Sequence, residues 1–379
     1  MAAGNVRQLG IAGLVLVTCC CSSGTQGSQV PPTAAATAIA APAGESTPPL
    51  TPSSGTPESV GSITEYSLPQ GSGDPERITA GPDGNIWITQ GSRNIVAKVT
   101  TSGSFTSYSV PTPASSPAAI TTGPDGNLWF VEQAGRKVAK VTAAGNFTEY
   151  NIPTPGCPDH ITTGPDRNLW FALSCDANKM VKVTTSGSFT EFDIPTVNSW
   201  PGGITAGPDG NLWFTEQNAN KIAKMSTSGH FTEFPLPSLG GAPTAIAAGP
   251  DGNLWFTELS GNRVAKVTTS GNITEYALPS PGAPNLGEGP IPPGNSPTAI
   301  TAGPDGNLWI TEQYPNKVAR VTTSGIFAEY AIPTGIQLSP ALPPTSCPHA
   351  ITTGSDKAIW FTESCADKIG KLVALEARR

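Results

Sequence analysis

An acidic side chain recurs once in each of seven repeated segments of this 379-residue chain. Five of these acids end the same Trp-containing apolar run; where that position is Gln90 or Leu173, the preceding run supplies the acid. Converging carboxylates would attract a divalent cation, Mg²⁺ or alternatively Ca²⁺, or a cationic ligand, and crowding would raise some of their pKa values. The alternative interpretation is that they are repeat consensus residues bonded to backbone. The seven are Glu76, Glu132, Asp159, Glu216, Glu258, Glu312 and Glu363.

His349 is the candidate catalytic base. If the last hairpin is read as cross-strand pairs centred on its turn residue Asp356, then His349 lies opposite Glu363. A carboxylate opposite an imidazole could orient it for proton abstraction. A simple cross-strand surface pair is an equally good interpretation. The sequence therefore predicts His349 as base, with Glu363 and Glu312 as candidate metal ligands.

Other residues near the same height extend this set. Thr298 has the position of His349 in the preceding repeat, and Trp200 precedes the corresponding run of another repeat, where an aromatic ring could support a ligand. His160 follows Asp159, so strand alternation predicts that it points to the opposite side and packs there. The predicted ligand-binding residues are Glu76, Glu132, Asp159, Glu216, Glu258, Thr298 and Trp200.

Short strands must position these residues. Variants of Gly-Pro-Asp-Gly-Asn-Leu-Trp-Phe-Thr-Glu recur about every 40 to 55 residues, and each unit contains four apolar runs, A to D, separated by turn residues. A repeated four-stranded meander predicts an all-β fold, a seven-bladed β-propeller over residues 62–373. The repeat tryptophans are Trp87, Trp129, Trp170, Trp213, Trp255, Trp309 and Trp360.

The order of the runs predicts how the ring closes. A D-type run at 63–68 precedes the first A-B-C set, and no D run follows the last set. The N-terminal strand should therefore complete the last blade, which leaves no open edge. In this arrangement strand A starts and strand B ends on the face that also carries the D-to-A and B-to-C connections. We call that face the mouth.

Two cysteine pairs have the spacing of cross-strand partners. Cys157 and Cys175 are symmetric about one turn aspartate, and Cys347 and Cys365 about another. Opposed cysteines in an antiparallel pair can be bridged, and each loop of about 18 residues makes a disulfide worth roughly 3 kcal/mol in the chain-entropy model. Because no third thiol lies near either pair, a metal site is the weaker interpretation.

The sequence of the N-terminal region predicts an export signal. Residues 1–21 hold one cation, Arg7, and an apolar run of about ten residues, too short to span a bilayer and typical of a signal peptide. The run ends at Cys19 in a sequence similar to a bacterial lipobox, so Cys19 is the predicted acylation site; cleaved secretion and an apolar terminus without targeting role are the alternatives. Residues 22–61, rich in Pro, Ala, Ser and Thr, predict a disordered tether, and 374–379 a C-terminal tail. We expect an exported lipoprotein at the cell surface or periplasmic side, otherwise a secreted protein.

Composition excludes several classes. The chain has 42 Gly and 39 Pro, which disfavours helical bundles and doubly wound nucleotide-binding folds. A net charge of −7 argues against a nucleic-acid surface. We expect a monomer that takes a small-molecule or peptide ligand, uses no organic cofactor, binds no nucleic acid, and meets the membrane only through a lipid anchor.

The repeat itself resembles a known family. Seven units of the type described, ending with Ile359-Trp-Phe-Thr-Glu and Lys368-Ile-Gly-Lys-Leu372, are similar to virginiamycin B lyase and its streptogramin lyase relatives over residues 62–373. The resemblance implies a seven-bladed propeller. It also implies opening of a cyclic depsipeptide at its ester by elimination, with Mg²⁺ held by glutamates, a His general base after the Pro of strand A, and a second, substrate-contacting His one blade earlier.

Carrying these roles over gives two registers. In one, Thr298 takes the base position, Glu312 and Ser296 the metal positions, and Thr244 the substrate His position. In the other, His349 is the base and Glu363 a metal ligand, but Cys347 takes the second metal position and Thr298 that of the substrate His. Two hypotheses follow: a metal-assisted carbon-oxygen lyase centred on His349, Glu363 and Glu312, or a non-catalytic tethered propeller that binds a peptide, sugar or cation.

Overall fold

The structure, a computed structural model, describes residues 61–69, 73–175, 177–280, 296–338 and 344–373. The chain divides into two units, Met1–Thr56 and Pro57–Arg379, and every described residue lies in the second. The predicted signal peptide, Cys19, nearly all of the tether and the C-terminal tail lie outside the described residues. Within the described part of the chain the helices are two 3₁₀ turns, Gly91–Arg93 and Ser364–Ala366, and no helix there could cross a bilayer.

Among the described residues, twenty-eight strands form seven antiparallel sheets of four strands, which confirms the all-β, seven-bladed propeller. Blade 1 contains β2 (Ile78–Ala80), β3 (Ile86–Gln90), β4 (Ile95–Val99) and β5 (Phe105–Ser109). Blade 2 contains β6 (Pro117–Thr122), β7 (Leu128–Glu132), β8 (Lys137–Val141) and β9 (Phe147–Asn151). Blade 3 contains β10 (Cys157–Thr163), β11 (Leu169–Ser174), β12 (Lys179–Val183) and β13 (Phe189–Asp193). Blade 4 contains β14 (Pro201–Ala206), β15 (Leu212–Glu216), β16 (Lys221–Met225) and β17 (Phe231–Pro235).

The remaining blades follow the same plan. Blade 5 contains β18 (Pro243–Ala248), β19 (Leu254–Glu258), β20 (Arg263–Val267) and β21 (Ile273–Ala277). Blade 6 contains β22 (Pro297–Ala302), β23 (Leu308–Glu312), β24 (Lys317–Val321) and β25 (Phe327–Ala331). Blade 7 contains β26 (Pro348–Thr353), β27 (Ile359–Glu363), β28 (Lys368–Leu372) and β1 (Ile63–Ser67). Strand β1 pairs with β28, from Ile63 opposite Leu372 to Ser67 opposite Lys368, so the predicted closure of the ring by the N-terminal strand is confirmed.

The turn between strands A and B explains why the repeat is so regular. In all seven blades the turn aspartate accepts a hydrogen bond from the indole N–H of the Trp four residues later, at 2.9–3.1 Å. This bond satisfies the one polar group of a fully buried Trp, so the ring can occupy the core between blades. The Gly-Pro-Asp-Gly-Asn signal therefore sets both the turn and the position of the largest core residue.

The core lies between successive blades. Trp87 of blade 1 packs with Phe130 of blade 2, and equivalent clusters join the other neighbours. Each sheet thus buries both of its faces, since Trp87 and its equivalents point one way and Phe130 and its equivalents the other. Blade-to-blade burial is the main hydrophobic contribution to the ring.

One register prediction is wrong, and the reason is local. Strand A carries a bulge in blades 2 to 7, so Glu363 faces Pro348, not His349, and the ladder resumes only at Ile351. The bulge adds residues to strand A that have no partner on strand B. Symmetric counting about the turn aspartate therefore fails beyond the bulge, by one position for six of the seven predicted mouth pairs. Blade 1 has no bulge in its described residues and keeps the predicted register, with Ile78 opposite Ile88.

Both predicted disulfides are present. Cys157 is bonded to Cys175, with their Cα atoms 5.7 Å apart, and Cys347 to Cys365, at 5.2 Å. Each bond ties the start of strand A to the residues just after strand B.

Candidate functional site

Threonines of strand B hold the bulge of strand A at the mouth. The Thr362 hydroxyl accepts a hydrogen bond from the backbone N–H of Ala350, at 3.0 Å, within blade 7. The Thr311 hydroxyl of blade 6 donates to the carbonyl of His349, at 3.3 Å. Because these bonds replace ladder bonds that the bulge lacks, they fix the backbone that presents His349.

His349 is half-buried and is held by the neighbouring blade. Its Nδ1 lies 3.1 Å from the carbonyl oxygen of Glu76. A carbonyl can only accept, so Nδ1 carries the proton and Nε2 is left as an acceptor. Burial, with Arg77 nearby, lowers the pKa of His349 to about 3. His349 is therefore neutral at physiological pH and has the tautomer that a general base needs.

Asp159, His160 and Arg77 form a charged group beside it. Nη2 of Arg77 lies 3.7 Å from Oδ1 of Asp159, and Nδ1 of His160 lies 3.3 Å from the same oxygen. Burial alone would raise the pKa of Asp159, but His160 and Arg77 outweigh it and hold that pKa below its ordinary value of 3.8. Asp159 also acts on the pKa of His349, as does His160, so these groups share one electrostatic environment.

His160 corrects one sequence inference. Alternation predicted that it points away from Asp159, but the bulge between Pro158 and Ile161 breaks alternation at these two residues. Both side chains therefore contribute to the same group, and each is about one-fifth exposed. The residue types alone do not show that strand A contains a bulge here, and without the bulge the direction of the His160 side chain cannot be predicted.

Glu76 completes the group. Burial raises its pKa to about 7; Arg77 opposes this rise, while Asp74 and Asp159 add to it. Sequence reasoning passed over Arg77, although it is the residue next to Glu76 and so shares its place at the start of strand A. The side chains that meet here, which we call the mouth cluster, are Glu76, Arg77, Asp159, His160 and His349.

The mouth cluster comes from blades 1, 3 and 7 only. At the two bulge positions the other blades carry small residues, among them Thr298, a predicted ligand-binding residue, which donates to the Pro348 carbonyl at 3.1 Å. The small residues are Ala118 and Ala119, Gly202 and Gly203, Thr244 and Ala245, and Thr298 and Ala299. The mouth is therefore charged on one side and small and uncharged on the other.

The strand B glutamates do not reach the open mouth. Glu363 is fully buried between blades, and its pKa is raised to about 8 by burial and by Glu65. Within the described residues, no hydrogen bond reaches either of its carboxylate oxygens. The predicted acidic ring thus separates into two sets: Glu76 and Asp159 belong to the mouth cluster, whereas the buried glutamates are Glu132, Glu216, Glu258, Glu312 and Glu363.

The buried glutamates lie beside a second acidic position. In blade 2, Glu132 has its pKa raised to about 7 by burial and by Glu149. Glu149 in turn pairs with Lys137 at 2.7 Å and accepts from the backbone and hydroxyl of Thr112 in the D-to-A connection. The ion-paired Glu149 has a lowered pKa and keeps its charge, so Glu132 is the acid of the two that more readily takes a proton.

The residues here do not fit a Mg²⁺ held by glutamates. In the register that keeps His349, the second metal position is Cys347, which is 2% exposed and bonded to Cys365. In the other register it is Ser296, also buried. The remaining ligand, Glu363 or Glu312, is a single fully buried acid, and no cluster of three or more metal-ligating side chains occurs in the described ranges. A disulfide sulfur is a poor ligand for a hard cation, and one carboxylate supplies too few oxygen ligands.

Apolar residues lie on the D-to-A connections at the uncharged side. Val197 and Leu239 are 80% and 94% exposed, in the loops that lead into blades 4 and 5. Trp200 is half-buried and has a left-handed backbone, with φ of 54°, just before β14. Its position corresponds to that of Cys347 in blade 7, which places it at the mouth end of strand A.

Comparisons with known proteins agree on one family. The sequence profile of the virginiamycin B lyase family matches residues 53–288 and 290–377. A solved streptogramin B lyase is 35% identical, covering 82% of this chain and 97% of that one, with a TM-score of 0.73. A catalytically inactive His-to-Ala variant of virginiamycin B lyase from Staphylococcus aureus, solved with quinupristin, is 35% identical over 83% of this chain and 99% of that one, also with a TM-score of 0.73.

More distant structures share only the fold. The extracellular domain of a hybrid two-component system from B. thetaiotaomicron is 14% identical and covers 85% of this chain and 44% of that one, with a TM-score of 0.59. No curated protein matches the sequence. The profile spans nearly all of the described propeller, and the chain therefore belongs to the virginiamycin B lyase family.

Proposed function

We propose that this protein is an exported member of the family that binds a small amphipathic peptide or depsipeptide at its mouth. The observation that supports this function is the mouth cluster, five ionisable side chains gathered from three separate blades. Ligand sites combine a few convergent polar groups with apolar walls. The charged side would bind the polar groups of the ligand, and Trp200 with the exposed Val197 and Leu239 would contact its apolar side chains.

Charge within the mouth cluster favours a ligand that carries a donor or a cation. Asp159 is ionised, whereas His349 is neutral and offers Nε2 as an acceptor. Arg77 is a permanent cation of the mouth cluster, its side chain is 21% exposed, and it would pair with a carbonyl or carboxylate of the same ligand. A peptide backbone provides both kinds of group within a few ångströms.

A second candidate is the elimination reaction known for the family. The proton on Nδ1 of His349 is fixed by the Glu76 carbonyl, and a solved relative with a single His-to-Ala change is catalytically inactive. In such a reaction Nε2 would remove the proton from the α-carbon. A C=C bond would form, and the C–O bond at the β-carbon would break with the carboxylate as leaving group. Because the residues do not fit Mg²⁺, Arg77 is the group placed to stabilise negative charge on the ester.

Quinupristin distinguishes these functions. We expect calorimetry to detect its binding to the wild-type propeller, weakened about tenfold in Arg77→Gln and His349→Ala, because removing one partner of a hydrogen bond that the complex buries costs about 1–3 kcal/mol. His230→Ala is the matched control, since His230 is exposed in a C-to-D turn at the opposite end. Unchanged affinity in both mouth variants, or no binding at all, would contradict the mouth site for this ligand class.

Mass spectrometry of the same mixtures tests the chemistry. Intact ligand after prolonged incubation, with and without Mg²⁺, is the result expected of a binding protein. A ring-opened product of unchanged mass, absent in His349→Ala, would establish elimination instead. If product formed only with Mg²⁺ and stopped with a chelator, the conclusion that the residues do not fit the metal would be wrong.

Export rests on separate grounds. Two disulfides favour an oxidising compartment. We propose that Cys19 is acylated, that residues 22–61 tether a monomeric propeller to the membrane, and that the protein lies at the cell surface or periplasmic side of a bacterium. Palmitate labelling of the wild type and of Cys19→Ala in cells tests this: label that persists in the variant, or is absent from the wild type, contradicts it.

A further inference from the structure

The two disulfides occupy the same place in their blades. Cys157 opens β10, and Cys347 directly precedes β26. Their partners, Cys175 and Cys365, follow the ends of β11 and β27, with the same sequence separation of 18. In each case an ionisable residue of the mouth cluster comes two positions after the first cysteine: Asp159 in blade 3 and His349 in blade 7.

Among the six blades with a bulge, the two that have a disulfide are the two that place ionisable residues at the mouth. Blades 2, 4, 5 and 6 have the same bulge without a disulfide, and their bulge residues are Ala, Gly or Thr. A bulge lacks ladder bonds, so its backbone is easily displaced. An ionisable group that is half-buried there gains free energy by moving into water, whereas an alanine does not. Additional restraint is therefore needed at the two bulges that hold Asp159 and His349.

Blade 3 lacks the restraint used elsewhere. In several blades an Asn before strand C bonds the loop that leads into the next blade; Asn94, for example, accepts from the backbone N–H of Ser115 at 2.8 Å, and Asn178 from Ser199 at 3.0 Å. The residue at this position in blade 2 is Arg136, so the loop into blade 3 receives no such amide. The disulfide Cys157–Cys175 takes over that role at the start of β10.

In blade 7 the disulfide reaches two parts of the mouth cluster. Cys365 lies in the 3₁₀ turn Ser364–Ala366, and the next residue is Asp367. Oδ1 of Asp367 accepts from the backbone N–H of Gly73 at 2.7 Å and of Asp74 at 3.1 Å, directly before Glu76 and Arg77. One bond thus restrains the strand that carries His349 and the turn that holds the Glu76–Arg77 segment.

We propose that the two disulfides are positioning elements of the mouth site. Cys347–Cys365 fixes His349 and, through Asp367, the Glu76–Arg77 segment. Cys157–Cys175 fixes Asp159 and His160. Cys347 has the position where the family resemblance implies a metal ligand, and in this chain that residue forms a covalent link to Cys365 instead.

Histidine NMR tests the proposal, because the chain has only three histidines and each reports on a different place. The variants are Cys347→Ala/Cys365→Ala and Cys157→Ala/Cys175→Ala, which open loops of equal length, so each controls for the loss of stability in the other. The first should move the titration midpoint of His349 upward, toward the ordinary value of 6.5, and alter the titration of His160 less. The second should alter the titration of His160 and alter His349 less. His230, at the opposite end, should not change in either.

Unchanged titration of His349 and His160 in folded variants, with only a lower melting temperature, would overturn the proposal, because the disulfides would then stabilise without positioning. If a variant does not fold, the same signals are followed in folded wild type treated with a phosphine reductant, with each single-disulfide form trapped by alkylation. The inference rests on the proposed function only in taking the mouth as the site. Since the titrations need no ligand, failure of quinupristin binding would leave the inference standing and refute only the function.

Discussion

Carboxylates occupy two layers of the same propeller, and the layers behave in opposite ways. Asp159, on strand A, is partly exposed beside Arg77 and His160 and has a lowered pKa. Glu363, on strand B, is fully buried and has a raised pKa. The two positions lie on paired neighbouring strands of the repeat: the residue directly before Asp159 pairs with Leu173, which is the blade 3 equivalent of Glu363. The strand that carries an acid therefore decides whether it serves the site or the core.

The largest effect should come from converting blade 1 to the pattern of its neighbours. Gln90→Glu replaces a buried amide whose Nε2 donates to the carbonyl of Gly73 at 3.1 Å. An ionised carboxylate cannot donate this bond and is costly to bury, so we expect about 2–4 kcal/mol of destabilisation at pH 9. Urea denaturation at pH 9 and pH 5 measures it.

At pH 5 the introduced acid can be protonated and donate, so the loss in Gln90→Glu should shrink to about 1 kcal/mol. Equal losses at both pH values would show that ionisation is not the cause. Glu132 ends strand B of blade 2 as Gln90 ends strand B of blade 1, so it is the natural example of a glutamate at this position.

A smaller effect of opposite sign is expected for Glu363→Gln. The folded pKa of about 8 exceeds the ordinary value of 4.5, so the wild type loses stability as pH rises from about 4.5 through 8. The amide cannot ionise, and the variant should therefore be more stable than wild type by about 1–2 kcal/mol at pH 9 and nearly equal at pH 4.5. Stability curves over this range, with His230→Ala as an unrelated surface control, check the sign. A variant that is less stable at pH 9 would contradict the buried neutral acid.

The smallest effect should come from the strand A layer. Asp159→Asn removes the ionised partner of Arg77 and His160, and we expect about 0.5–1 kcal/mol of destabilisation near neutral pH. Because the folded pKa lies below 3.8, this contribution is present above about pH 4 and disappears on further acidification. Denaturation between pH 7 and pH 3 measures it. A difference that grows on acidification would place Asp159 with the buried acids.

The fold could be predicted almost completely, because its signals are local. The Gly-Pro-Asp-Gly-Asn turn, the Trp four residues after its aspartate and the out-of-phase first strand are each readable from spacing, and they produced the blade number and the closure by β1. The disulfides followed as well, since hairpin symmetry needs to hold only within a residue for two cysteines to meet.

The site could be predicted only in part. His349, Glu76 and Asp159 were identified as site residues. Symmetric pairing also placed Glu363 and Glu312 beside the open mouth, but the bulge shifts the pairing by one residue and both glutamates are buried. His160 was assigned to packing and Arg77 was missed, because a bulge depends on tertiary bonds such as that from Ala350 to Thr362 and leaves no clear mark in residue type. Their roles in binding or chemistry stay predictions.

The pairing of β1 with β28 has a kinetic consequence. Ile63 pairs with Leu372, so the strand that closes the ring is synthesised early and its partner strand is synthesised last. Contacts this distant in sequence form slowly, because a long loop must be closed before they are made. Until then β1 is an unpaired edge, and blade 6 exposes the face that blade 7 will cover. Completion of blade 7 is thus the expected slow step of folding, and the same step assembles the strand that carries His349.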